Sequence, residues 1–355
     1  MAKFKQKLTL LVIVVIASIV YLASLHFKEK MRSSRLIQIS QYCKNDSIKN
    51  DFLKKDSYMD IEIHGDKKQS DVTIISVYFQ LEKSKHSHLK YEEWLDNFFL
   101  SIKSPLVILT DKKSIRNTLK KRKYPTTLYI TDSIWNLLNE IGQKRNRNYI
   151  ENYKCVQPSL DPEYEKHNPN LYALWNLKSF IADKFAQENI YNSSSFIYTD
   201  AGAWRKKAYK NWPDEKFVLK IQERIKDKIL FGQLHNESDL IKEKSFPGID
   251  LIEGTFFMGS QLALKRFKNE FWDLHDRLFD EGKFVGKDQT IMNILAFQSN
   301  FKTSVAKLNI WKINCSFWTK TFRLIDPWFY YQYFFATQDL YPETCFDQKE
   351  SLVSY

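Results

Sequence analysis

The sequence predicts an α/β fold: a mostly parallel sheet with helices on both faces, preceded by one transmembrane helix. Three observations predict it. Short, nearly all-apolar runs rich in β-branched residues recur along the chain and end in an acid, as buried strands do. Amphipathic helical patterns fill the intervals, an alternation that builds parallel sheets. Leu8–Phe27, LTLLVIVVIASIVYLASLHF, is 20 residues without a formal charge. As a helix that is about 30 Å, the thickness of a bilayer's hydrocarbon core.

Residues 1–7 form a short tail before that segment. Residues 8–27 read as an uncleaved signal anchor, because the apolar part of a cleaved signal peptide is normally about 7–15 residues. Three Lys precede it, and Lys28, Lys30, Arg32 and Arg35 follow it. Flanking charge therefore gives no orientation. Residues 28–70 are polar and charged, and predict a stem. A domain over 71–317 follows. Its predicted strands are Asp71–Phe79 (DVTIISVYF), Ser104–Thr110 ending at Asp111, Thr126–Thr131 ending at Asp132, and Phe196–Thr199 ending at Asp200.

Three helices are predicted between and after these strands. Tyr91–Leu100 carries Trp94, Leu95, Phe98 and Phe99 on one face. A second opens with Asn168 as cap and Pro169 in the first turn, then repeats Leu171, Leu174, Trp175, Ile181 and Phe185 at helical spacing. A third carries Phe267, Phe271, Leu274, Leu278 and Phe279 and stops near Gly282. Residues 318–355 are a ring-rich tail, either packed on the domain or forming a sugar- or lipid-contacting surface.

Composition removes several classes. The formal charge is +12, and residues 1–35 hold seven basic side chains against Glu29, half of that excess. The remainder is only mildly basic, which argues against a nucleic-acid partner. Hydrophobic content of 43% excludes a disordered chain. No GxGxxG or Walker A run is present, which argues against dinucleotide redox and P-loop chemistry. Cys43, Cys155, Cys315 and Cys345 show no zinc-like spacing and leave free thiols or one or two disulfides open. Asn-x-Ser sequons at Asn45, Asn192, Asn236 and Asn314 fit a luminal domain. Lys112–Lys123 holds seven basic residues and no acid, a solvated helix face or a contact for acidic lipid.

Ligands of open α/β sheets bind outside the carboxyl ends of strands, where Asp111, Asp132 and Asp200 fall. Asp132 reads as a cap for the helical SIWNLLNEI run. Asp200 precedes Ala201-Gly202-Ala203, a stretch whose backbone can approach a ligand closely. Arg205, Lys206 and Lys207 follow it, so the segment suits a metal-diphosphate or a solvated turn. Glu253–Ser260, EGTFFMGS, reads as a strand entering a Gly turn. Asp288 sits where an N-cap would, but capping gives no reason for Gln289 or Asn293.

These runs resemble known motifs. FIYTDAG is similar to the strand-plus-DxD signature of GT-A-fold glycosyltransferases, and DQTIMN to the DQxxxN motif of retaining family 8 enzymes. DVTIISVYF, LYALWNLKSF, YTDAGAWR, EGTFFMGS and KDQTIMN together resemble the HtrL/YibB-like family over roughly residues 71–300. The resemblance implies a GT-A-like, Rossmann-like domain that moves a sugar from a nucleotide-sugar donor to a glycan or glycoconjugate acceptor. The alternative is a non-catalytic sugar- or protein-binding relative. The anchor would make it a single-pass type II membrane protein of the ER or Golgi with a luminal domain. Asp288 and Gln289 would be catalytic, Asp288 taking donor-sugar hydroxyls and Gln289 lying under the anomeric carbon. Asp200, Gly202, Arg205, Lys206 and Glu253 would hold the donor, and Asp200 would carry Mn2+ or Mg2+. The sequence departs from the pattern twice: Gly202 stands where the second acid of DxD belongs, and no His follows His275. The leaving diphosphate needs positive charge from a metal or from Arg205, Lys206 or Lys207.

Overall fold

The computed structural model describes residues 13–27, 59–66, 69–81, 86–111, 122–206, 211–238, 250–310, 326–336 and 353–354, with single positions 30, 34, 43 and 119. Nine strands form one sheet: β1 (Asp60–His64), β2 (Val72–Tyr78), β3 (Leu106–Thr110), β4 (Thr126–Ile130), β5 (Ser195–Thr199), β6 (Ile229–Gln233), β7 (Ile252–Gly259), β8 (Val305–Asn309) and β9 (Val353–Ser354). Their order is β1-β4-β3-β2-β5-β7-β6-β8-β9. β2, β3, β4, β5, β6 and β8 run one way, and β1, β7 and β9 oppose them. The sheet is therefore mixed, with its parallel block as the sequence predicts.

The principal helices are α1 (His88–Ser101), α2 (Ile134–Arg145), α3 (Pro169–Glu188), α4 (Glu215–Ile225), α5 (Gln261–Asp280), α6 (Asp288–Phe297) and the short α7 (Tyr330–Phe334). Strand alternation sorts side chains into two cores. Ile75, Val77, Val107 and Leu109 face α2, α3, α5 and α6. Val72, Ile74, Leu106 and Ile108 face α1, α4 and α7. Helices thus cover both faces, which explains why these strands read as continuous apolar runs.

Caps fix the helix starts. Asn168 accepts from Leu171 N at 3.1 Å to open α3, and Ser260 accepts from Ala263 N at 3.2 Å to open α5 directly after β7. EGTFFMGS therefore passes from strand to helix with no Gly turn between. The cap of α2 is Ser133, which accepts from Trp135 N at 3.2 Å, and not Asp132, which lies exposed one position earlier. A hydroxyl needs the Ncap position itself to reach the first-turn N–H groups.

Two further readings change, and of the two alternatives for the ring-rich tail, packing on the domain holds. The predicted stem contributes β1, whose Asp60–His64 pairs antiparallel with Ile130–Thr126 at the sheet edge, and Cys43 bonds to Cys155. The ring-rich tail enters the fold. Tyr330, Tyr331 and Phe334 are fully buried in the second core, and Val353 pairs with Leu308. In the basic run, Arg122 is internal, donating to Ser104 O at 2.7 Å and Thr126 Oγ1 at 2.6 Å. Burial lowers its pKa to about 9. Residues 112–118, 120 and 121 of that run, Lys207, Asn45, Asn314, Cys315 and Cys345 lie outside the described residues.

Residues 13–27 form a helix whose apolar side chains are exposed, Ile13 at 57% and Phe27 at 64%. Residues 8–12 of the predicted anchor lie outside the described residues. Among the described residues no helix is long and apolar enough to cross a membrane. The helical stretch that is described amounts to about 22 Å, short of a hydrocarbon core of about 30 Å.

Candidate active site

Strand order reverses between β2 and β5: β3 and β4 continue to one side of β2, and β5 and β7 to the other. A crevice beyond the carboxyl ends of the strands at such a switch point is where an open α/β sheet binds ligands. A cavity of about 480 Å³ opens there, within the usual range for small-molecule sites. β2 runs into Phe79, Gln80 and Leu81 at its edge, and β5 runs into Asp200, Ala201 and Gly202. Asp111 and Asp132 end β3 and β4 away from the switch point and do not line the cavity, whereas Asp200 does.

Lys178 dominates the floor. It sits on α3 in the stripe of Leu174, Leu177 and Ile181, and its side chain is only 6% exposed. Its ammonium lies 3.0 Å from Asp200 Oδ2, 3.0 Å from Asp288 Oδ2 and 2.8 Å from Gly254 O. Burial opposes its charge, but Asp200 and Asp288 outweigh burial and hold it protonated above the usual lysine range. Asp200 is fixed from its other oxygen by the Tyr198 hydroxyl at 2.8 Å. Burial, with Asp200 adding, pushes the Asp288 carboxyl up against the pull of Lys178.

Asp288 is not the cap of α6. Lys287 holds the Ncap position, and Asp288 stands one residue inside, its Oδ1 accepting from Gln289 N at 2.9 Å. The structure also gives the reason for Gln289 and Asn293. Gln289 Nε2 donates to Ile252 O at 2.9 Å, and Asn293 Oδ1 accepts from Ile252 N at 2.9 Å. Two amides one turn apart thus bracket the backbone of one residue at the start of β7 and dock α6 against it. Gly254 makes room, since a Cβ there would lie 2.6 Å from Gln289 Cγ. Gln289 also lines the cavity.

Glu253 does not reach the cavity. It is fully buried, accepts from Thr255 N at 2.7 Å and from the Thr255 hydroxyl, and lies beside Gly232 on the face that carries Ile310. Burial raises its pKa well above the usual carboxylate value. A donor-binding role for Glu253 is thereby corrected: the strand turns it away from the ligand side. Gly202 lies against Tyr91, whose Cε1 would stand 3.3 Å from an added Cβ. Lys206 is exposed and does not line the cavity, whereas Arg205 does.

The walls are aromatic. The Arg205 guanidinium lies between Trp94 at 5.0 Å and Phe329 at 4.8 Å, and Tyr91 packs edge-on against Trp94. Opposite stand Leu171, Leu174 and Trp175, with His167 edge-on to Trp175 at 4.9 Å. Asp161 orients His167 through Nδ1 at 3.1 Å while accepting from the Tyr172 hydroxyl at 2.6 Å. Two cations on the rim are paired, Lys166 with Glu163 at 2.8 Å and Lys287 with Asp250 at 2.8 Å. Flat rings above a charged floor suit a ligand with planar or ring faces and dense polar groups.

The residues present do not fit a divalent cation. Among the described residues no three His, Cys, Asp or Glu side chains are grouped to hold a metal. Asp200, the carboxylate at the cavity floor, already shares the Lys178 ammonium with Asp288, which is buried behind it. Metal on Asp200 is therefore not supported by its surroundings.

The sequence reading missed Lys178, Trp94, Trp175, His167 and Lys287. For Lys178 a signal existed: a lysine inside the apolar stripe of a helix is rarely buried without a partner. The others carry no local mark, because the switch point that gathers them is a property of strand order.

No family model matches the chain, and no curated protein matches it. The HtrL/YibB-like resemblance therefore rests on its motifs. Among solved structures, core-mannan synthase A from Aspergillus fumigatus, in a Mn/GDP form, is similar with 12% identity and a TM-score of 0.39, over 67% of this chain and 73% of that one.

Proposed function

We propose that the cavity binds a nucleotide sugar and that the protein transfers the sugar to a glycan or glycoconjugate hydroxyl. The observation that carries this reading is the Asp200–Lys178 pair on the floor of a ring-walled cavity at the sheet's switch point, with Asp288 buried behind Lys178 and not itself lining the cavity. Fixed carboxylates suit sugar hydroxyls, and rings suit a base and the apolar faces of a sugar. In the transfer, the bond between the anomeric carbon and the diphosphate oxygen breaks and its electron pair leaves with the diphosphate. The acceptor oxygen bonds to that carbon and gives up its proton. The oxocarbenium-like state between them is stabilised by nearby carboxylate, and the leaving charge by cations. Arg205 is the cavity cation placed to meet that charge.

A second reading, binding without transfer, draws support from the same floor, where both carboxylates are already engaged by Lys178. A thermal-shift panel of nucleoside diphosphates and nucleotide sugars, followed by a donor-hydrolysis assay on any binder, separates the two. Binding without turnover supports the second, and no binding removes both.

The proposed setting is a secretory-pathway lumen, ER or Golgi, with residues 8–27 as a type II anchor. The Cys43–Cys155 bond and the exposed Asn192 sequon favour an oxidising, glycosylating compartment. A gel shift on glycosidase treatment tests it.

A further inference from the structure

The position of Lys178 says how the site is charged. An ammonium on a long buried side chain meets three oxygens at 2.8–3.0 Å: one from each of two carboxylates and the Gly254 carbonyl. Two converging carboxylates and a backbone carbonyl are an oxygen set of the kind that holds a hard divalent cation. Here a covalently attached cation takes the centre of that set. The contacts with Asp200 and the Gly254 carbonyl are hydrogen bonds, and the contact with Asp288 is an ion pair. Asp200 has a further partner in Tyr198, and Asp288 has one in the Gln289 N–H. The carboxylates are thus oriented from both sides, as metal ligands are by their outer partners.

We propose that Lys178 is a built-in cation that replaces a divalent metal, so that the cavity takes its diphosphate ligand without metal. This rests on the nucleotide-sugar reading for the ligand, but the claim about the cation stands on the geometry alone. A mobile dication would have to displace an ammonium that is buried, held by two hydrogen bonds and a second ion pair, and tethered by the α3 backbone. With the floor cation committed to Asp200 and Asp288, the charge of a diphosphate falls to Arg205 on the wall. Metal ions should then leave ligand binding unchanged.

The test uses the full chain and two readouts. The first is Mn2+ binding by electron paramagnetic resonance, on wild type, Asp200→Asn and Lys178→Met. The second is the thermal shift given by GDP and UDP, in EDTA and in Mn2+. Wild type is expected to leave Mn2+ free up to about 1 mM and to give the same nucleotide shift in both buffers. Lys178→Met opens the oxygen set and is expected to gain Mn2+ binding. Mn2+ bound by wild type and lost in Asp200→Asn overturns the proposal. So does nucleotide binding that requires Mn2+, or a folded Lys178→Met that ignores Mn2+. If Lys178→Met does not fold, the wild-type and Asp200→Asn measurements decide by themselves. If neither nucleotide binds in either buffer while the Mn2+ results hold, the nucleotide-sugar reading falls and the built-in cation survives.

Discussion

Asp288→Asn separates what the floor does for folding from what it does for a ligand. The Asp288 carboxyl has its pKa raised by burial and by Asp200, in spite of Lys178. A carboxylate whose folded pKa exceeds its unfolded one loses stability as pH rises through that interval, so at neutral pH its ionised form costs stability. Asn removes that cost. Its amide oxygen still accepts from Gln289 N–H at 2.9 Å, but the ion pair with Lys178 Nζ at 3.0 Å goes. Losing that contact costs about 1 kcal/mol. The two effects oppose each other, and the unfolding free energy should stay within about 1 kcal/mol of wild type. Function should not be spared. Losing half of the anionic pair lets Lys178 settle on Asp200 alone and removes the charge proposed to act on the sugar. Donor hydrolysis should fall about 100-fold, roughly 3 kcal/mol of transition-state stabilisation. Urea titrations and initial rates on the same preparations measure both. A variant destabilised by several kcal/mol with turnover intact would show that Asp288 serves the fold and not the chemistry.

Other expectations follow from the same geometry. Gly254→Ala drives a methyl to 2.6 Å from Gln289 Cγ and should break the hydrogen bond from Gln289 Nε2 to Ile252 O, costing about 1–2 kcal/mol in urea unfolding; in a Gln289→Ala background most of that cost should vanish. Arg205→Ala should weaken nucleoside diphosphate binding about tenfold, with a shallower salt dependence, by calorimetry at two ionic strengths; an unchanged affinity would place the diphosphate elsewhere. Asp276 is buried against its charge, yet His275, Tyr149 and Arg145 hold its carboxyl down at about 2. Its contribution of about 2 kcal/mol is present above the usual carboxylate pKa and lost as pH falls toward 2; Asp276→Asn should flatten the stability profile between about pH 4 and pH 2.

The sequence spoke most clearly where burial is uniform. DVTIISVYF and SPLVILT are buried on both faces over most of their length, so most positions carry the apolar mark, and both became strands. Asp200 was legible because a short strand, an acid and small residues stand in a row. Lys178 was not, although LYALWNLKSF contains it, because its meaning depends on two acids that lie 22 and 110 residues further on. The edge strand β1 escaped notice for the opposite reason: Ile61 and Ile63 are more than half exposed, so its pattern is that of a polar stretch. Glu253 misled because alternation alone does not say which face of a strand meets the ligand.

The Cys43–Cys155 bond also sets a reach. Were the chain held at residue 27 in a bilayer, its first covalent tie to the folded domain would be at residue 43, not at β1. The fifteen residues between 27 and 43 span at most about 50 Å when fully extended, against about 110 Å for the path to residue 60. In that setting the one cross-link would halve the leash and confine the cavity to a thin layer above the membrane. Acceptors carried on lipids or short membrane-proximal stalks would fall inside that layer, and glycans displayed far from the bilayer would fall outside it. Reduction of the bond would lengthen the tether and widen the field of substrates without altering a single residue of the pocket.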